Sequence, residues 1–331
     1  PHLRIEPNVF ACLLEEACLR AGVDLWYYRL PIRGDAAEDG WVVDVAGKGP
    51  CRQTVHCREI VDCTGDADMV HLLGFARVRE AEWQPGTLLY TLQGYHADDL
   101  DPDTVEAAYR QALEEGRLQE GDLAYPQGGM MQLLRGHGMN HQHVRHADSA
   151  TAANWTEANI HGRQSLLRTL RFIRSLPGAD AAYIACMQPE TAIRETYRIV
   201  GDVTITGEDY LAGRHFPDAI AYAYYPIVIH QMAGVSLTPL APGVLPTIPF
   251  RALIPRGSRR VLAAGRCVSS DRTALAALRV QAPCMAMGQA AGAAAALGVR
   301  LGVPSCQVPY ASLCALLEAH GAIIPRDVPA A

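Results

Sequence analysis

Val261-Leu262-Ala263-Ala264-Gly265-Arg266 is an apolar run closed by a glycine and a cation. Its length suits a strand buried on both faces, and the glycine lets another group approach backbone N–H groups that a side chain would cover. A plain strand-to-loop turn would have the same sequence. The stretch that follows, Arg279-Val280-Gln281-Ala282-Pro283, narrows the choice. Proline in the first turn of a helix leaves free amides at the N-terminus, where the helix dipole favours negative charge. The two stretches together read as α/β architecture with a ligand at the strand ends.

A second turn of this kind lies near the front of the chain. Val61 to Thr64 ends an apolar strand, and Gly65-Asp66-Ala67-Asp68 leads straight into a short helix with Met69, Val70, Leu72 and Leu73. We expect the two turns to be neighbours and to close one site. This gives a domain built from residues 1–75 and 250–331, interrupted by an inserted α+β domain over residues 76–249. Within the insertion, residues 87–95 alternate like a strand. Residues 103–116 form a helix capped by Asp101 or Asp103, and residues 159–176 form another.

In the outer segments, Asn8 is expected to cap a helix over 9–21 that Gly22 stops. Residues 23–27, 41–45 and 55–63 read as strands, with a turn at 47–50. Residues 250–255 and 260–264 read as extended. A long helix over 281–297 ends at Gly298, and a last one over 310–320 ends at Gly321. Gly288-x-x-x-Gly292, flanked by alanines, gives the long helix a bare face suited to close packing.

Composition excludes several classes of function. In a chain of 331 residues, 49% hydrophobic against 19% charged indicates a well-buried core and argues against disorder. A net charge of −6 with interspersed signs gives no basic stripe for nucleic acid. The small-residue run over 282–298 is broken by Pro283 and Gln289 and suits a core helix better than a membrane span. The ten cysteines are scattered without a Cys-x-x-Cys pair, so reduced thiols in a cytoplasmic protein are expected. His137, His141, His143 and His146 have no acidic or thiol companion at a familiar spacing, and no metal site is predicted. His141 and His143 would share a strand face.

Candidate chemistry centres on Arg194-Glu195-Thr196-Tyr197-Arg198-Ile199-Val200-Gly201-Asp202. If helical, Arg194, Glu195 and Arg198 share one turn. They form either a solvated charged face or a pair of fixed cations for an anionic or polyhydroxylated substrate or a partner loop. His230 follows the apolar run Pro226 to Ile229, where it is either a hydrogen-bonded core residue or a general base.

At these residues the sequence resembles the FAD-dependent oxidoreductases. The family's Ala-Thr-Gly-Asp-Ala-Asp-like turn stands here as Cys63 to Asp68, and its Arg-Glu-Thr-Arg-Arg-Ile-x-Gly segment as Arg194 to Gly201. Its late Ala-Gly-Arg and Gly-Gln-Ala-Ala-Gly stand as Ala264 to Arg266 and Gly288 to Gly292. The resemblance implies an incomplete Rossmann-like FAD/NAD(P)-binding domain with an inserted substrate domain, transferring hydride between flavin and a small molecule.

Under that resemblance Thr64, Gly65 and Asp66 border the dinucleotide, and Gly265, Arg266 and the amides near Val280 and Gln281 border the flavin. Arg194, with Arg198 and His230, orients the substrate. Three departures stand out. No Gly-x-Gly-x-x-Gly follows a strand, as if the chain were truncated at its front. Tyr197 replaces a second Arg, and Val228 stands where an Asp-x-His is common. The alternative is a cofactor-free remnant acting as a binding or structural protein. Partners are expected to be small molecules rather than nucleic acid or membrane, with homo-oligomerisation left open.

Overall fold

The structure is a computed structural model that describes residues 5–125 and 128–326. It separates into two compact units, Pro1–Cys57 and Arg58–Ala331, so the boundary falls inside the segment expected to run unbroken over 1–75.

The first unit begins with α1 (Pro7–Arg20). Pro7 occupies the first turn, where its missing N–H costs nothing. The side chain of Glu6, rather than Asn8, accepts from the first free amides. Gly22 follows with φ +73°, the left-handed conformation that ends a helix. Residues 23–27, expected as a strand, form irregular chain and a turn. Three strands follow as an antiparallel meander: β1 (Arg29–Ala37), β2 (Gly40–Gly47) and β3 (Cys51–Cys57). Trp41 pairs with Ala36 and Cys57, and Gly49 turns the second hairpin at φ +78°. Pairing to β2 holds β1 in sheet form despite Pro31, which sits at the register shift where a missing N–H is tolerated.

The second unit opens with β4 (Ile60–Asp62), α2 (Asp68–Leu72) and β5 (Arg77–Val78). The expected strand over 55–63 is therefore two strands. The chain continues through β6 (Tyr90–Gln93), α3 (Pro102–Glu114), α4 (Gly129–Arg135), β7 (Gly138–Met139), α5 (Ala152–Arg174) and β8 (Tyr183–Met187). Strand β6 lies between β7 and β8. Asp101 is the cap of α3, accepting from Thr104 N at 2.9 Å, and Val105, Tyr109 and Ala112 form its buried stripe. Helix α5 starts seven residues before the expected 159, at the cap Thr151. Its Gly162 lies where a Cβ would meet Thr191 Oγ1 at 2.6 Å.

Next come β9 (Arg198–Ile199), α6 (Gly207–Leu211), β10 (Ala219–Tyr222), β11 (Ile227–Gln231), β12 (Gly234–Thr238), β13 (Thr247–Pro249), β14 (Val261–Ala263), α7 (Arg272–Leu278), α8 (Gln281–Leu301) and α9 (Tyr310–Ala319). Residues 250–255, expected as extended, instead follow β13 as a single 3-10 turn over Phe250–Leu253. Helix α8 passes Gly298 and stops at Gly302, φ +70°. Gly298 is instead the place where the returning chain lies against the helix, since a Cβ there would sit 2.9 Å from Val303 O.

Among the described residues, beside a small cluster of Val144, Ala147 and Ala158, two large apolar cores form. One gathers Leu88, Leu92, Met130, Leu166 and Ile173 around β6 and α3 to α5. The other gathers Leu262, Leu275, Met287, Ala291 and Leu313 around α7 to α9, and takes in Ile205, Tyr210, Ile220 and Ile248 from the later part of the 76–249 segment. Helix and sheet are mixed as an α/β chain requires. The parallel pairing among the described strands is the pair β4 and β14. Among the described residues one helix, α8, is long and apolar enough to cross a membrane. In the structure its Met287, Ala290, Ala291 and Ala294 are fully buried in the second core.

Candidate active site

The parallel pair sets the geometry. Ala263 stands opposite Asp62, so both strands end at the same level and their turns emerge side by side. Asp62, 1% exposed, fixes the first turn. One carboxylate oxygen accepts from Thr64 N at 2.9 Å and Thr64 Oγ1 at 2.7 Å, and the other accepts from Val70 N at 3.0 Å. Gly65 then adopts φ +82°, and a Cβ there would meet Arg266 Nε at 2.5 Å. The glycine is needed both for its conformation and for the guanidinium that covers it.

Arg266 Nη1 lies 2.8 Å from Asp66 Oδ1. Asp66 also accepts from Thr196 Oγ1 and from Ser149 Oγ, the latter at 2.7 Å. Both expected turns are thus joined to the segment that carries Arg194. Gly265, at φ +96°, has nothing within 4 Å of a Cβ position, so its backbone is open to approach. Val280 is the residue before α8 and gives no side-chain cap, and no group bonds the amides of Gln281 and Ala282 among the described residues. Arg266 and Arg279 both act on the thiol of Cys284 in the first turn of α8, although burial wins and pushes it up to about 11.

Residues 194–197 are irregular chain rather than helix. Arg194 and Glu195 bond to different sets of partners. Arg194 donates to Pro85 O, to Thr87 Oγ1 at 2.6 Å and to Asn140 Oδ1 at 2.9 Å. Burial, helped by the nearby Arg279 charge, lowers its pKa to about 9. Glu195, 1% exposed, accepts from Gln84 N at 2.6 Å, Gln84 Nε2 at 2.8 Å and Arg272 Nε at 2.9 Å. A cleft of about 260 Å³ is lined by Thr87, Asn140, Arg194, Arg266 and Arg279.

His230 is the last but one residue of β11 and stands opposite Val235. Its N donates to Gln84 Oε1 at 2.8 Å, and its Nδ1 shares a proton position with His143 Nε2 at 2.9 Å. Burial, then Arg194, His143 and Arg279, depress the His230 pKa to about 2. His143 is held near 4 by burial and then Arg194. The His141–His143 stretch is loop and not strand. With Trp83, Arg145 and Arg272, His230 lines a second cleft of about 380 Å³. Arg198, the other candidate, lines neither cleft: its Nε donates to Ser270 O at 2.8 Å and its Nη2 to Glu80 at 2.7 Å. Tyr197 forms a platform for Arg77, whose guanidinium lies 3.9 Å from the ring centroid.

Sequence reasoning did not single out Gln84, Thr87 or Asn140. The partners cited for them lie 54 to 195 residues away, and no local spacing marks them. Arg279 did carry a signal, as the cation that directly precedes the uncapped helix start.

A family model described as FAD dependent oxidoreductase matches residues 2–317, and the chain belongs to that family, whose cofactor is FAD. No match is found among curated proteins or solved structures.

Proposed function

We propose that the chain transfers hydride between FAD and a small-molecule substrate at the cleft bounded by Arg194, Arg266 and Arg279. The convergence of two strand-end turns and an uncapped helix start beside that cleft carries the reading. The fit to the cofactor rests on open backbone at Gly265 and on free amides at Gln281 and Ala282, which can hold the electron-rich pyrimidine edge of a flavin. Thr64, Gly65 and Asp66 would border the dinucleotide. The flavin supplies the two-electron chemistry.

The protein's own groups position the substrate. Arg194 is held by three neutral oxygens and keeps its guanidinium fixed towards the cleft. Glu195 holds the Gln84 backbone and Arg272, and through Gln84 it fixes the strand that bears His230. His230 is kept neutral and is a weak base, so we assign it hydrogen bonding and orientation rather than proton storage. Arg198 is assigned to the fold. In this reading residues 58–75 and 250–331 carry the cofactor side, residues 76–249 supply most of the substrate side, and the thiols belong in a reducing, cytoplasmic setting.

Titration of the folded protein with FAD, followed by quenching of flavin fluorescence, tests the reading. Saturation near one FAD per chain, together with bleaching of the flavin by an organic hydride donor under anaerobic conditions, is expected. A folded protein that leaves FAD fluorescence unchanged would instead favour a cofactor-free binding role.

A further inference from the structure

Arg194 and Arg279 line the same small cleft, and neither meets a carboxylate among the described residues. Arg194, 8% exposed, donates only to neutral oxygens. Arg279 Nη2 donates to Gln84 Oε1 at 3.1 Å and Val228 O at 3.3 Å, while its buried Nε has no acceptor. The third cation of the cleft, Arg266, is already paired with Asp66. Glu195, the sequence neighbour of Arg194, turns its oxygens to Gln84 and Arg272 instead. Both guanidinium groups are therefore bonded only to neutral acceptors, with the Glu195 charge favouring them from beyond hydrogen-bond contact, an arrangement that leaves donors for an anion to join.

Resting on the reading of this cleft as a substrate site, we infer that it binds the carboxylate of a small organic acid between Arg194 and Arg279. Thr87 and Asn140 form the neutral part of the wall. A planar guanidinium matches a carboxylate through paired N–H donors, and the unsatisfied Nε of Arg279 is a donor of that kind. A cavity of about 260 Å³ suits a molecule of modest size.

The test uses acetate, succinate and benzoate as probes, their amides as neutral controls, and calorimetric titration and thermal unfolding of the full chain as readouts. At least one acid should bind and stabilise the protein while its amide does not. Asn140→Asp places a carboxylate against Arg194 with almost no change in shape. It should raise the melting temperature and weaken the acid about ten- to hundredfold. Arg279→Met should weaken it to a similar extent.

If no acid binds the wild type, or if both variants bind it as well as wild type, the inference is overturned. It also fails if the variants lose FAD affinity while acid binding is unchanged, because the cations would then serve the cofactor. Acid binding that survives in a protein unable to bind FAD would remove the flavin reading and leave the anion site standing.

Discussion

Arg266 crosses from the turn after β14 to lie 2.8 Å from Asp66 in the turn after β4, and its guanidinium covers the space above Gly65. Gly65→Ala forces a side chain into a left-handed conformation and against that guanidinium. It should destabilise the protein by about 1–3 kcal/mol. Denaturant unfolding measures the loss, and a change below about 0.5 kcal/mol would show that the turn relaxes freely.

Glu195 is a buried carboxylate shared between Gln84 and Arg272. Removing it in Glu195→Ala leaves the Gln84 donors and Arg272 without their acceptor. The expected cost is about 3–5 kcal/mol in denaturant unfolding. Glu195→Gln keeps the shape and one acceptor, and should cost less than Glu195→Ala.

The His143–His230 pair sets a pH dependence. Both pKa values lie below the ordinary 6.5, near 4 and near 2, so the unfolded chain binds protons in this range that the folded chain does not. Stability from this pair is complete above about pH 6.5 and is lost as the pH falls towards 4, with each histidine contributing up to about 1.4 kcal/mol per pH unit. His143→Asn should flatten the slope between about pH 7 and about pH 5 in urea unfolding. An unchanged slope would place the titration elsewhere.

Gly288 and Gly292 lie in the interior of α8 with nothing within 4 Å of their Cβ positions, so these two positions are open while Ala290, Ala291 and Ala294 of the same helix pack in the core. Gly288→Ala and Gly292→Ala should each stabilise the fold by about 0.5–1 kcal/mol through helix propensity. A loss of stability in thermal melts would reveal a contact at this face.

Arg194→Lys keeps the charge but removes the planar fork. We expect a loss of turnover of about tenfold or more with the flavin spectrum unchanged. Loss of the flavin spectrum would assign Arg194 to the cofactor site, and unchanged turnover would assign it to the fold.

What was legible in the sequence was local chemistry. Asp101 announces α3 because a short acidic side chain before Pro102 can reach the free amides. Gly65 and Gly265 announce their turns because apolar strands run into them. The spacing of Arg194, Glu195 and Arg198 would put them on one turn only if the segment were helical, and what keeps it irregular is a set of bonds that reach Pro85, Thr87 and Gln84 far away in the chain. The pairing of His143 with His230 spans 87 residues and leaves no trace in spacing. Residues 23–27 look like a strand by side-chain type but lack a pairing partner, whereas β1 gains one from β2 despite a proline and several polar residues.

The parallel pairing of β4 with β14 also bears on how the protein is made. Cys267, in the turn after β14, lies 205 residues beyond Asp62, the last residue of β4. At roughly 5–20 residues per second of synthesis, the first turn waits on the order of ten seconds or more before its counterpart leaves the ribosome. Throughout that interval β4 is an unpaired edge and Asp66 has no cation to meet, so a nascent chain stalled between the two turns exposes a pairing surface to its neighbours. Slow codons or chaperone shortage within that window should therefore reduce the yield of folded protein more than the same perturbation after residue 267.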